Sequence, residues 1–158
     1  MKRFALVLAL IMALSAGFGC AKKQKAEPTY DDGGATVNSE LSSAIQQITD
    51  GRVYFAFDRS AILPEGKEVL KTKAELMKRF PSIHVRIEGN CDERGTQEYN
   101  LALGERRAHA AQEFLTTLGV NPSQMETISY GKENPAVQGS GEAVWQQNRR
   151  DDFRVIAQ

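Results

Sequence analysis

The chain has 158 residues, 41% hydrophobic and 25% charged, an ordinary balance for one modest globular domain with appendages. Its 20 basic and 20 acidic residues cancel to a formal net charge of zero, so no broad field draws it to nucleic acid or to acidic membrane surfaces. Recognition by this chain has to be local and geometric.

Lys2 and Arg3 precede an uninterrupted apolar run, "FALVLALIMAL", from Phe4 to Leu14. A membrane-spanning helix needs roughly 20 such residues, so this run fits the apolar segment of a secretory leader. The small residues "SAGFG" then lead to Cys20. This order predicts a lipoprotein signal over residues 1–19, with Cys20 as the new N-terminus carrying diacylglycerol and a fatty acyl chain. Gly17 and Phe18 depart from the residues usual at their places, and an ordinary secretory signal is the alternative. A lipidated Cys20 cannot form a disulfide, which leaves Cys91 alone.

Residues 20–49 are expected to form a flexible tether. Most of the stretch is polar, is punctuated by Pro28 and Gly33-Gly34, and shows no apolar period. Leu41, Ala44, Ile45 and Ile48 alone follow the spacing of one helical face, suggesting a short helix leading into a domain over residues 50–158.

"VYFAF" (53–57) is aromatic and β-branched and predicts a buried strand ended by Asp58. Pro64-Glu65-Gly66 reads as a loop entering a helix over residues 67–79, which Pro81 stops. "IHVRIEG" (83–89) alternates, with Ile83, Val85 and Ile87 inward and His84, Arg86 and Glu88 on a solvated outer face. A second helix is expected from about Gln97 to Leu118. Leu101, Gly104, Ala108, Ala111, Leu115 and Leu118 form its sheet-facing stripe, and Gly104 and Ala108 permit close approach. Thr96 suits its N-cap and Gly119 its C-terminal stop. "METISYG" (125–131) predicts a third strand, residues 132–144 a loop, and "DFRVIA" (152–157) a last strand with Phe153, Val155 and Ala157 inward. The order β-α-β-α-β-β, with right-handed crossovers, predicts an α/β (α+β) two-layer sandwich with helices on one face of a mixed sheet.

Little in the sequence favours catalysis. A cysteine nucleophile needs a base within reach, and neither His84 nor His109 is placed to pair with Cys91. The thiol reads as a small group filling a gap after a strand. No Cys/His pairs have zinc spacing, and "GSGEAV" (139–144) lacks the glycines and the strand-to-helix context of a phosphate loop. No enzyme, metal or cofactor is expected.

Recognition is better supported. Asp92 begins a short loop before a helix, and Gly95 lets that loop turn sharply. Arg107 lies one position from the apolar stripe, at its edge, where a guanidinium can hold a carboxylate bidentately. Asp92 offers the opposite charge to an ammonium, so the pair could read a zwitterion. The competing reading is that Asp92 caps its own loop and Arg107 pairs with a neighbouring acid. Spacing alone does not separate the two.

The run "IEGNCDERGTQEYNLALGERRAHA" (87–110) resembles the OmpA-like peptidoglycan-binding domain family. "VYFAFD" (53–58), "SYGKENPAV" (129–137) and "NRRDDFRV" (148–155) match in the same order, so the resemblance covers about residues 50–158. It implies non-covalent binding of peptidoglycan through the meso-diaminopimelate of its stem peptide, gripped by Asp92 and Arg107. Phe57, Asp58, Gly95, Thr96, Asn100 and Leu103 match other pocket-wall positions, and Arg149 and Arg150 match an arginine pair near the site. Asn90 stands where the family often has histidine, which removes the pH sensitivity a histidine would add. Cys91 stands where a small residue is usual. For lipid-anchored members the resemblance implies attachment to the periplasmic side of the outer membrane and a TolB-like periplasmic propeller protein as partner. The alternative is a structural envelope lipoprotein acting mainly as a protein-docking module.

Overall fold

The computed structural model describes residues 33–158, and the leader, Cys20 and the first part of the expected tether lie outside them. The elements run α1 (Gly33–Asp50), β1 (Val53–Tyr54), α2 (Pro64–Arg79), β2 (His84–Asn90), α3 (Gln97–Thr117), β3 (Met125–Gly131), α4 (Glu142–Asn148) and β4 (Arg150–Ala157). The sheet order is β1-β4-β2-β3. β2 and β3 are parallel, while β4 runs antiparallel to both β1 and β2. This is the expected mixed sheet. α4 falls at the end of the loop expected over residues 132–144.

Period-two alternation puts Val85 and Ile87 of β2 and Phe153 of β4 on the inner face. Against them pack Leu70, Ala74 and Met77 of α2 and Ala108, Ala111 and Leu115 of α3. Each fully buried aliphatic side chain contributes about 1.5–3 kcal/mol, so this cluster is the main source of stability. α2 begins three residues earlier than expected because Pro64 sits in its first turn, where a missing N–H costs nothing.

The helix expected at 41–48 is far longer. Residues 33–49 of the expected flexible tether are helical, and Ala44 and Ile48 join the core. The polar composition misled because only this narrow stripe is buried. Lys73 of α2 is buried as well and donates to the Ile48 carbonyl near the C-terminal end of α1. Burial pulls the Lys73 ammonium down to about 7.

Three further expectations change. "VYFAF" is a ladder only at Val53–Tyr54; Phe55 is buried, and Phe57 turns out with 56% of its surface exposed. Asp58 (φ +53°) makes that turn. Glu88 is on the outer face but is buried, under Arg154 at 3.2 Å. On α3 the buried positions are 100, 103, 104, 107, 108, 111 and 115, whereas Leu101 is 38% exposed.

That rotation follows from the crossing of α3 over β2 at Gly104 and Gly89. A Cβ on Gly104 would lie 2.8 Å from the Gly89 carbonyl oxygen. Two glycines meeting backbone to backbone fix which side of α3 faces the sheet, and Arg107 lies nearly one turn beyond on that side.

Candidate functional site

The β2–α3 loop is held from both ends. Cys91 extends the β2–β3 ladder by donating its N–H to the Gly131 carbonyl at 2.7 Å. Gly95 adopts φ +93°, a left-handed conformation that favours glycine. Thr96 caps α3, its Oγ1 accepting from the Tyr99 N–H at 3.2 Å. Asn100 reaches back from the first turn and donates Nδ2–H to the carbonyls of Arg94 (2.8 Å) and Thr96 (3.0 Å). The loop is thereby fixed against the helix that carries Arg107.

Arg107 is fully buried. Its guanidinium donates to the backbone carbonyls of Arg59 (Nε, 2.9 Å), Asn90 (Nη1, 2.7 Å) and Ala56 (Nη2, 3.3 Å), and to Cys91 Sγ at 3.4 Å. Among the described residues no carboxylate comes within 4.0 Å of it, so the competing reading, in which it pairs with a neighbouring acid, does not hold. Nor does it lie at the edge of the helix stripe: it is part of the buried face. Burial draws its proton affinity below the ordinary arginine value.

Asp92 is the opposite case. Its Oδ1 accepts from the Arg94 backbone N–H and Nε–H, both at 3.1 Å, and its Oδ2 accepts from Arg94 Nη2 (2.6 Å) and Arg149 Nη1 (3.3 Å). The loop-capping reading is therefore correct for Asp92 in the free protein, and the cation beside it is Arg94. Burial opposes the Asp92 anion, but the hydrogen bonds from Arg94 and Arg149 outweigh it and hold the carboxyl below its ordinary range. Arg94 is clamped between the Phe57 and Trp145 rings, 3.9 Å from each centroid.

Phe57, Asp58, Asp92 and Gly95 line one cavity of about 180 Å³ together with Asn100, Leu103, Arg107 and Arg149. Thr96 shapes this cavity from outside it, as the cap of α3. Arg150 points elsewhere: its Nη2 lies 2.7 Å from Asp152 and its guanidinium donates to the Asn134 carbonyl. Alternation along β4 separates it from Arg149, which precedes the strand. Arg149 donates to the Phe55 carbonyl (3.0 Å) and to Glu142 (2.5 Å) as well as to Asp92.

Sequence reading missed Arg94, Tyr99 and Trp145. The Asp92-x-Arg94-Gly95 spacing was a usable signal for an ion pair across a tight turn. Nothing local announced Trp145, which also donates Nε1–H to Glu93 at 2.9 Å. Tyr99 donates its hydroxyl to Asp58.

The cavity thus holds three guanidinium groups against the carboxylates of Asp92 and Asp58. It suits an anionic group at Arg107 and a cationic group where Arg94 now meets Asp92. Among the described residues no cluster of His, Cys, Asp and Glu side chains could hold a metal ion. Burial raises the Cys91 thiol to about 11, against a field from Arg107 that lowers it. Iodoacetamide at neutral pH is expected to alkylate folded Cys91 at least ~100-fold more slowly than the unfolded chain. Equal rates would show an open, activated thiol.

Residues 54–149 match the OmpA family. A peptidoglycan-associated lipoprotein of Brucella melitensis is 38% identical over 151 residues, covering 94% of this chain and 89% of its own. One from Pseudomonas putida is 40% identical, covering 98% of each chain. The crystal structure of the peptidoglycan-associated lipoprotein from Burkholderia pseudomallei, 43% identical, covers 73% of this chain and 98% of its own with a TM-score of 0.69. The C-terminal domain of Helicobacter pylori MotB shares the fold, with a TM-score of 0.63 at 22% identity over 68% of this chain and 85% of its own.

Proposed function

The chain belongs to the OmpA family, and we propose that it is a cell-envelope lipoprotein that binds peptidoglycan non-covalently in the cavity between Asp92 and Arg107. The observation that carries this reading is the Arg107 guanidinium: buried, charged, bonded only to carbonyls and sulfur, and bordering a cavity. A cation in such a place favours an anion that can reach it. The ligand with the matching chemistry is the meso-diaminopimelate of the stem peptide, whose side chain ends in an ammonium and a carboxylate on one carbon. The carboxylate goes to Arg107. The ammonium displaces Arg94 from Asp92, one cation for another, so little charge pairing is lost in the exchange. Phe57 and Trp145, released from Arg94, remain as apolar walls.

Cys20 serves as the lipid anchor, which places the domain on the periplasmic side of the outer membrane and ties that membrane to the wall. A TolB-like protein is the proposed partner, within a Tol–Pal system acting in envelope integrity and constriction at division. No catalytic step is required for this mechanical role.

Sedimentation of the mature chain, in detergent, with purified sacculi tests the reading. The parent is expected in the pellet, with Asp92→Asn shifted at least ~10-fold toward the supernatant through loss of a charge-assisted contact. Co-sedimentation of Asp92→Asn and Arg107→Lys at the parent's level would reject the site. Mass spectrometry of the mature N-terminus tests acylation at Cys20.

A further inference from the structure

Asp151 is a carboxylate that the site described above does not use. It lies in β4, in register with Val53 of β1 on one side and Gly89 of β2 on the other. Alternation turns it inward, between Arg150 and Asp152 on the outer face. It is fully buried, and neither carboxylate oxygen has a hydrogen-bond partner. An aspartate in a core strand is costly unless something holds it there.

The charged groups whose fields act on it are few. Arg107 faces it from α3, and Arg150 and Asp152 are its neighbours on β4. The field of Asp151 also reaches Cys91 in the β2–α3 loop. From β1 and β2 its direct neighbours are Val53 and Gly89, which carry no charge. Arg107 spends its N–H groups on three carbonyls and a sulfur and none on Asp151. The two are thus coupled by charge alone, with both side chains buried in the interior. Burial pushes the Asp151 carboxyl well above the ordinary carboxylate range, while Arg107 acts against that shift.

We propose that Asp151 is a proton-linked positioning residue for the Arg107 anion site. As the neutral acid it leaves the Arg107 charge to a ligand carboxylate; as the anion it offsets that charge from within the core. Ligand binding at Arg107 therefore goes with a protonated Asp151, and it weakens as pH rises. By reciprocity, a bound carboxylate strengthens the hold of Asp151 on its proton by the same factor. This inference rests on the reading of Arg107 as a carboxylate site. It gives the pocket a pH response despite Asn90, and from a residue that never touches the ligand.

The test is calorimetric titration of the full mature chain, in detergent, with stem-peptide fragments released from sacculi by a muramidase. Titrations run from pH 5 to 9 in paired buffers of different ionisation heat. For the parent the dissociation constant is expected to rise with pH, at a limiting slope of about tenfold per pH unit, with proton uptake on binding. Asp151→Asn and the apolar Asp151→Leu are expected to bind with a flat profile and no linked uptake. A parent profile that is flat, or an Asp151→Asn profile that keeps the parent's slope, overturns the proposal. Unchanged binding by Arg107→Lys and Asp92→Asn would instead reject the site itself, an outcome distinct from loss of the pH slope with Arg107 dependence intact.

Discussion

Arg107→Ala is expected to cost about 3–4 kcal/mol of folding stability as well as wall binding, the largest effect of any single side chain around the cavity. The guanidinium bonds the carbonyls of Ala56 and Arg59, the two ends of the turn after β1, and of Asn90 at the end of β2. The Asn90 carbonyl left bare in the interior costs about 1–3 kcal/mol, the part-buried Arg59 and Ala56 carbonyls and the lost packing of the side chain add to it, and relief from burying a cation offsets part of that sum. Urea unfolding is expected to show a lower midpoint with an unchanged slope, and thermal unfolding a drop of roughly 10 °C or more. Arg107→Lys keeps a charge but reaches fewer of the carbonyls, so it should fall between. A loss below about 1 kcal/mol in Arg107→Ala would mean that water takes over the guanidinium's contacts. The residue would then be a recognition group with no structural duty.

Gly89→Ala is the second large effect, and it acts on the scaffold. A Cβ there would overlap the Gly104 carbonyl, with the Gly104 carbon at 2.6 Å and its Cα at 3.0 Å. No flexible side chain can swing aside, because the obstacle is the backbone of α3. The helix must lift from β2, at a cost of about 3 kcal/mol or more, the upper end for overpacking. Asp92 follows Gly89 by three residues and Arg107 follows Gly104 by three, so the same displacement pulls the two ends of the site apart. The variant is expected to lose both thermal stability and sacculus binding. Parent-like unfolding would show that α3 is not seated on this contact.

Asp92 and Arg107 illustrate how far local pattern carries. The loop turn at Gly95 and the cap at Thr96 beside them were legible, because each follows from short-range backbone chemistry. The burial of Arg107 was not. An apolar count along α3 put Leu101 in the stripe and left Arg107 at its edge. The structure reverses them, since the Gly89–Gly104 crossing sets the helix rotation and three carbonyls from distant segments make room for a guanidinium. Arg94 was overlooked because its partners Phe57 and Trp145 lie far away in the chain. The helical length of α1 escaped for a related reason: its sequence is polar, and it holds through Ala44, Ile48 and the lysine contact from α2.

By itself the sequence determined the order of the strands and of the two helices that cover the sheet, the apolar interior of that sheet, the glycines that permit close approach and the charges brought to one loop and one helix. These rest on periodicity and backbone preference, which act over a few residues. Only the tertiary structure decided which charges are paired. It gave Asp92 to Arg94 and Arg149, left Arg107 with three carbonyls and the Cys91 sulfur, and left the buried Asp151 carboxylate without a hydrogen-bond partner. Pairing in a dry interior depends on angstrom distances between groups far apart in the chain, and no local rule of sequence contains those distances.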